Sequence, residues 1–525
     1  MRLIDQAIQE HIYEELDNDF KNQTWHEFEE IAEEKDIWIF GLGEGSDFFF
    51  DKYGDKFVPK GVVDNDLNKQ GQKVSEFIGS EIIPKEMQIS SPNILKGENL
   101  ENIVVLISSL RYYVDIGKQL KELGLNRNFS LFVMELNEQL SNGKTKTISE
   151  VWEFAYAREC LNLPIECNKI LLARDECGGH GKQILLELAE LKPELDLVWV
   201  TDKKDLYMPK NVRIVKPSNH RAYIRELETA HIWLFGDMIP EYAIKRNEQK
   251  YIHIKHWASL TLKKFYMDLP SYLEIPSVRD YYVHNNEAMD YVFVGSKFDE
   301  DSCRSGFDFN GECIRVGSPR TDVLFKDGVR EKVFRELDIK DDSHILLYAP
   351  TFRARSERTI VGRMREIDLD FKRLLNVLGK RYGGDWQILL RIHPSVAMES
   401  NNAILPDYVK NVSFYPDSQE LLAASDILIS DYSSIMFELA FVGRPVFLYA
   451  PDVEDYVGKE RELLLDYESL PFPIAHSNDE LEERILEFDE NSYQVRLNKM
   501  LSDYEVNEDG KASKRAAEFI LTLLR

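Results

Sequence analysis

Apolar residues along this chain gather in short unbroken runs, each closed by glycine, serine or aspartate and followed by a stretch with helical spacing. Asp36-Ile37-Trp38-Ile39-Phe40 runs into Gly41-Leu42-Gly43-Glu44-Gly45-Ser46, and Lys169-Ile170-Leu171-Leu172-Ala173 runs into Glu176-Cys177-Gly178-Gly179-His180-Gly181. Continuous apolar strands alternating with amphipathic helices predict parallel sheets covered on both faces and joined by right-handed crossovers. Three such blocks follow one another. The first has strands over 36–40, 61–63 and 103–109, with a helix around Val114 to Leu123; the second has strands over 169–173, 197–200, 212–215, 231–235, 251–254 and 291–294. The third has strands over 345–348, 387–392, 412–414, 427–429 and 446–449, and a helix-rich segment from Tyr493 closes the chain.

The predicted fold class is α/β: a pair of Rossmann-type domains preceded by an extra N-terminal Rossmann-like domain. The expected divisions are 1–149 for a nucleotide-binding-type domain, 150–166 for a helical connector, 167–312 for the second domain and 313–525 for the third with a crossing C-terminal helix. A chain of 525 residues is too long for one ordinary core, and domain-size statistics also favour about three domains.

Composition narrows the function. Hydrophobic residues make up 43% and charged residues 30%, which describes a folded chain rather than a disordered one. No apolar run approaches the roughly 20 residues of a spanning helix, and the N-terminal Met1-Arg2-Leu3-Ile4-Asp5-Gln6 lacks a basic then apolar leader, so cytoplasmic residence is expected. The formal charge of −27 opposes a general nucleic-acid or anionic-membrane surface, and an anionic substrate therefore needs a local basic pocket. Five cysteines without a CxxC spacing read as reduced thiols.

In open α/β sheets ligands lie beyond the carboxyl ends of the strands. Ser425 to Glu438 is the most telling such place, because an apolar strand turns through Ser430-Asp431-Tyr432-Ser433-Ser434 into an amphipathic helix. Free N–H groups, the Ser433 and Ser434 hydroxyls and the positive helix end would meet there on a phosphate. Arg353 follows the strand ending at Tyr348, His393 precedes Pro394 after Arg391-Ile392, and Lys255-His256 follows Tyr251 to Ile254. Any one of these is also an ordinary solvated charge or a satisfied polar group. Their recurrence at strand ends of two blocks favours a shared cleft. In the first block Gly41, Gly43 and Gly45, with Asp64 after the second strand, form a loose dinucleotide pattern in which the acid would meet a ribose hydroxyl. The same glycines also fit a turn that merely lets helix and strand approach. No phosphate-binding Walker lysine loop and no acidic metal cluster stands in the sequence, so no metal and no cofactor is expected.

The order Gly317-Ser318-Pro319-Arg320-Thr321-Asp322, Tyr348-Ala349-Pro350-Thr351-Phe352-Arg353, His393-Pro394, Ser430-Asp431-Tyr432-Ser433-Ser434 with Phe437-Glu438, then Arg444-Pro445 and Tyr449, resembles the CDP-glycerol glycerophosphotransferase family of teichoic-acid and capsule polymer primases and polymerases. The resemblance covers roughly Lys169 to the C-terminus. It implies a GT-B architecture, with an acceptor domain followed by a CDP-donor domain and the site between them. It also implies transfer of glycerol or ribitol phosphate from CDP-glycerol or CDP-ribitol to a hydroxyl of a glycan or lipid-linked polymer acceptor, with release of CMP. By the same resemblance His256 is the base on the acceptor, His393 and Arg353 sit on the donor diphosphate, Ser433 and Ser434 hold a phosphate, Glu438 meets the ribose, and Arg320, Asp322 and Arg461 occupy motif positions. The family's Trp-His-Gly stands here as Lys255-His256-Trp257, and its later lysine and aspartate recur as Lys263 and Asp268, two residues further along. Peripheral contact with the inner membrane face is implied, and Lys245-Arg246 with Lys263-Lys264 are candidate basic patches for it. Two other functions fit the same sequence: a GT-B glycosyltransferase using a nucleotide sugar, and an N-terminal NAD(H)-binding or nucleotide-sugar-binding sensor or reductase.

Overall fold

The computed structural model describes residues 23–524, apart from 43–45, 47–48, 51–52, 55, 79–85, 110–112, 126, 132, 135–152, 154–155, 176–177, 204–207, 270–275, 352, 355–361, 364–367, 393–404 and 458–461. It holds three parallel sheets in chain order. The first contains β1 (Asp36–Phe40), β2 (Gly61–Val63), β3 (Ile89–Ser90), β4 (Ile103–Ile107) and β5 (Asn128–Ser130), in the order β3-β2-β1-β4-β5. The second contains β6 (Glu166–Ala173), β7 (Asp196–Val200), β8 (Val212–Val215), β9 (Ala230–Phe235), β10 (Lys250–His253), β11 (Tyr291–Val294) and β12 (Glu312–Arg315), ordered β12-β11-β10-β9-β6-β7-β8. The third contains β13 (His344–Ala349), β16 (Trp386–Leu390), β17 (Val409–Asn411), β18 (Ile427–Ser430), β19 (Val446–Tyr449) and β20 (Ile474–Ala475), ordered β17-β16-β13-β18-β19-β20. Between them β14 (Arg353–Ala354) and β15 (Gly362–Arg363) form a short antiparallel hairpin.

Each sheet reverses direction of winding at its first strand, which lies between the second and the fourth. That reversal opens a crevice at the carboxyl ends of β1 and β4, of β6 and β9, and of β13 and β18. The α/β class and the doubly wound order expected from the alternation are the observed ones. Differences lie at the edges. Residues 412–414 follow β17 rather than forming it, and Phe414 is 58% exposed. An edge strand needs few apolar residues, so polar Val409-Lys410-Asn411 pairs with β16 while the more apolar tripeptide beyond it does not. β3, β5, β12 and β20 carried too little apolar signal to be foreseen, and β12 straddles the 312/313 division drawn from the sequence.

The helices that matter for the site are α1 (Trp25–Ala32), α2 (Tyr113–Glu122), α3 (His180–Leu191), α4 (His220–Thr229), α5 (Lys297–Gly306), α6 (Ser418–Ala424), α7 (Ile435–Ala440) and α8 (Ala512–Thr522). Phe28 of α1 shares one apolar cluster with Leu106 of β4 and with Tyr223 and Trp233 of the middle lobe, so the first two sheets have a continuous core. α8 leaves the C-terminal lobe and packs Ala516, Ala517 and Ile520 against Ile170, Leu172 and Phe293 of the middle sheet. Phe519 adds edge contacts to Tyr291 and Phe293, with centroids 5.1 and 5.8 Å away. Gly61 is required where it stands, because a Cβ there would lie 2.3 Å from the Trp38 ring. Cys160, Cys167, Cys303 and Cys313 are free thiols, and Cys177 lies outside the described residues. Among the described residues no helix is long and apolar enough to cross a membrane.

Glu228, in the last turn of α4, is fully buried, accepting one bond from Ile244 N (3.1 Å) while its Oε2 has no partner. Desolvation outweighs that bond and the nearby Arg246 charge, raising the carboxyl from 4.5 to about 8. The native state therefore keeps a proton that the unfolded chain releases above about 4.5. Glu228 should therefore contribute stability that is fully present below about 4.5 and is lost as pH rises through about 8. Glu228→Gln should flatten that slope, read as the pH dependence of hydrogen-exchange protection in β9 and β10; an unchanged slope refutes the assignment.

Candidate active site

The site begins where β10 ends. Lys255 takes a left-handed conformation (φ +61°), which costs a non-glycine residue on the order of 1–3 kcal/mol unless its surroundings hold it. What holds it is an almost fully buried ion pair between Lys255 Nζ and Asp299 Oδ2. Asp299, in the first turn of α5, also accepts from Gly295 N (2.8 Å) and from Trp257 Nε1 (3.1 Å). With Lys255 and Trp257 drawn inward, His256 between them is turned out and is exposed. Its ring stands edge-on to Trp257, with centroids 5.0 Å apart.

Arg320, in the segment joining the middle and C-terminal lobes, reaches both sides of the cleft. Its guanidinium donates to the His256 carbonyl (2.5 Å), and its Nε lies 3.6 Å from Glu438 Oε1 on α7. Glu438 is buried and accepts from Gln419 Nε2 of α6 (2.5 Å). His180, the first residue of α3, is buried beside them. Its Nε2 meets the Trp257 carbonyl at 2.8 Å, and its Nδ1 faces Arg320 N at 3.4 Å. A carbonyl can only accept and a backbone N–H can only donate, so this ring is neutral with its proton on Nε2. Burial and the Arg320 and Lys255 charges hold its pKa well below the usual histidine range, which agrees.

Opposite His256, Asp431 ties the crevice of the third sheet by accepting from Thr351 N (2.8 Å) and Tyr432 N (2.6 Å). Ser433 and Ser434 follow, both half-buried. Ser433 Oγ accepts from Ile435 N (3.4 Å), and Ser434 Oγ lies 3.2 Å from Thr261 Oγ1 of the middle lobe. The lobes touch again where Lys182 of α3 pairs with Asp417 (2.6 Å). There a Cβ on Gly178 would come within 2.8 Å of Ser418 Oγ, so only glycine allows the approach. Residues 262–264 and 462–464 complete the join, with Leu464 N donating to Leu262 O (2.8 Å) and Lys264 N to Glu462 O (3.0 Å).

Six of the residues singled out from sequence have side chains described in the middle and C-terminal lobes. The structure brings His256, Arg320, Ser434 and Glu438 together, with Ser433 adjoining them. Asp322 is elsewhere: it is buried under the start of α8 and accepts from Ala512 N (3.0 Å), Ser513 N (2.7 Å) and the Ser513 hydroxyl. Arg353 opens the β14–β15 hairpin, and its side chain, like His393 and Arg461, lies outside the described residues. In the first lobe Gly41 has φ +93°, and Gly43 and Gly45 lie outside the described residues. Asp64 is engaged by its own fold, accepting from Leu42 N (2.8 Å), Asp66 N (2.8 Å) and Lys69 Nζ (3.2 Å). The two basic pairs are likewise engaged within the fold: Lys245 pairs with Asp290 (3.2 Å), Lys264 with Glu462 at the surface (2.8 Å), Arg246 donates to Leu163 O (2.8 Å), and Lys263 lies over Tyr456. Sequence reasoning missed His180 and Gln419. The signal for His180 was its place directly after Gly178-Gly179, at the start of a helix beyond a strand.

Two Rossmann-type lobes facing across a cleft, with an exposed imidazole on one and a serine turn and buried carboxylate on the other, define a GT-B transferase. Residues 156–522 match the family described as CDP-glycerol:poly(glycerophosphate) glycerophosphotransferase. The chain belongs to that family and is a transferase of its class. It is 28% identical to a teichoic acid poly(glycerol phosphate) polymerase of Bacillus spizizenii over 66% of this chain and 88% of that one. It is also 28% identical to a teichoic acid poly(ribitol-phosphate) polymerase of the same organism, over 85% of this chain and 70% of the other. A solved structure of the wall teichoic acid polymerase TagF superposes with a TM-score of 0.62 at 23% identity, covering 71% of this chain and 94% of that one, and so shares the fold.

The buried pair below His256 sets its position, so removing one charge strands the other. Asp299→Ala should lower the stability of the middle lobe by about 3–5 kcal/mol, read by urea unfolding with hydrogen exchange over 250–300. Lys255→Met with Asp299→Leu should recover only part of this, because Gly295 N and Trp257 Nε1 remain without an acceptor. A loss below 1 kcal/mol would show that the pair does not hold the loop.

Proposed function

We propose that this chain transfers an alditol phosphate from a CDP-alditol to a hydroxyl of a cell-wall or capsule glycopolymer acceptor, releasing CMP. The observation that carries the reading is Arg320, which links the backbone of His256 to Glu438 across the cleft and so sets the imidazole and the nucleotide side at one fixed separation. Residues 167–312 are assigned to the acceptor and 313–525 to the donor. His256 takes the proton of the incoming hydroxyl, whose oxygen bonds to the β-phosphorus as the bond to the CMP oxygen breaks. Ser433 and Ser434 hold a phosphate at the turn after β18, and Glu438 receives the ribose hydroxyls by exchanging its Gln419 contact. His393, Arg353 and Arg461 neutralise charge growing on the leaving group. Asp322 acts through α8 rather than on the donor, in keeping with its bonds to Ala512 and Ser513. Asp64 orders the first glycine turn, and the first lobe takes no part in the transfer. The reaction runs at the inner membrane face on a lipid-linked acceptor.

His256→Ala should lower CMP release by about 10²–10⁴-fold with CDP affinity unchanged. An unaltered rate would remove the base from the scheme. A donor panel of CDP-glycerol, CDP-ribitol and common UDP-sugars separates the reading from sugar transfer, since UDP release without CMP release would overturn it. Positioning and charge neutralisation suffice for such a transfer, so turnover should persist in EDTA. Loss of activity restored by magnesium would show a metal requirement.

A further inference from the structure

Every residue from Tyr251 to Leu262 is buried except His256. A loop of this kind aims its one exposed imidazole only as well as its backbone is held. The consecutive carbonyls of His256 and Trp257 are both taken by donors from distant parts of the chain. The Arg320 guanidinium holds the first (2.5 Å), and His180 Nε2 holds the second (2.8 Å). His180 Nδ1 in turn accepts from Arg320 N (3.4 Å). His180, Arg320 and the 256–257 segment therefore form a closed circuit, in which each is bonded to the other two.

Both supports of that circuit are anchored. His180 opens α3, and its neighbour Gly181 packs so closely on β6 that a Cβ there would lie 2.2 Å from Leu172 Cδ1. Gly181 N also donates to Asp175 Oδ2 (2.9 Å). On the other side, Glu508 accepts from Ser318 N (3.2 Å) and Thr321 Oγ1 (2.9 Å), which grips the linker on both flanks of Arg320. The Ser259 hydroxyl donates to the same carboxylate, so the loop and the linker are tied a second time just beyond Trp257.

A carbonyl and a backbone N–H that faced each other could pair directly. Here a buried imidazole stands between them as a rigid spacer. Burial and the Arg320 and Lys255 charges keep the ring neutral, the form that donates at one nitrogen and accepts at the other. At 2% exposure His180 does not itself meet an incoming hydroxyl. Its reach to the chemistry is through the backbone it holds.

We propose that His180 is a positioning residue for the transfer: it sets the peptide that carries His256 at a fixed distance from Arg320, and through Arg320 from the Glu438 carboxylate across the cleft. The inference rests on the transfer reaction proposed above and adds a residue to it. Misplacing a reacting group by about 1 Å can cost about 10²-fold in rate, which sets the size of the expected effect.

The test measures CMP release by the full chain from CDP-glycerol or CDP-ribitol with a poly(glycerol phosphate) acceptor. His180→Leu fills the space without polar atoms and should lower kcat by about 10–100-fold, with KM for the CDP-alditol changed by less than about twofold. His180→Gln, whose amide offers a donor and an acceptor, should keep more of the rate than His180→Leu. In a His256→Ala background no base is left to aim, so adding His180→Gln should change the residual rate by less than about twofold. The pH at which activity falls in acid should be the same in His180→Gln as in wild type, because a ring that stays neutral adds no titration there. Equal losses with and without His256, or a better rate in His180→Leu than in His180→Gln, overturn the proposal. So does disappearance of the acid fall-off in His180→Gln, which would make His180 the base. Hydrogen exchange over 255–259 and 318–321 should quicken in His180→Leu, and unchanged exchange there also overturns the proposal. That readout needs no turnover: if no CDP-alditol yields CMP with the wild-type chain, the transfer reading fails by itself, while faster exchange in His180→Leu still shows the hold of His180 on the loop.

Discussion

The buried contact between Lys255 and Asp299 is the constraint from which the site is built. A lysine in left-handed backbone, with its amine almost wholly out of water, persists only because a carboxylate meets it there. The same carboxylate accepts from Gly295 and Trp257, so one side chain gathers the end of β11, the start of α5 and the loop after β10. His256 is exposed as a consequence, since both its neighbours are pulled into the lobe. The family pattern of tryptophan and glycine around this histidine is replaced by lysine and tryptophan, and the left-handed residue is Lys255, at the tryptophan position.

Carboxylates also join the lobes, which gives the acidity of the chain a structural meaning. Asp417 takes Lys182 across the cleft, Asp322 receives the first N–H groups of α8, and Glu508 accepts from Ser318 N (3.2 Å), Thr321 Oγ1 (2.9 Å) and the Ser259 hydroxyl. Each replaces water around a helix start or a loop with a protein acceptor, which matters most where burial would leave backbone donors unpaired. Arg320 stands at the centre of this arrangement. Its backbone meets His180 and its guanidinium meets His256 and Glu438, so movement of one lobe against the other is felt at the imidazole.

How much of this was legible depended on whether a residue's role is local. Trp38, Leu171, Trp233, Leu347 and Leu428 lie in unbroken apolar runs, and burial on both faces of a parallel strand demands such runs, so the three sheets could be read directly. β17 was misplaced by its neighbours because an edge strand is held by pairing on one side and needs little apolar surface. The residues after β10 and β18 were found because strand ends are where such folds place chemistry. Asp322 and Glu438 were both read as donor contacts, yet one lies under α8 and the other faces Arg320, a difference that depends on how a helix from the end of the chain crosses back.

The sequence by itself determined the alternation of strand and helix, the number of sheets and the family, because these follow from periodicity and from short motifs contiguous along the chain. Only the tertiary structure decided which charges are partnered. Asp64 turned toward its own glycine loop, Lys264 toward Glu462, His180 toward Trp257 and Arg320, and Arg221 toward Tyr156. Pairing energies fall off over a few ångströms and depend on exclusion of water, and contacts between residues tens to hundreds of positions apart exist only once the lobes have packed.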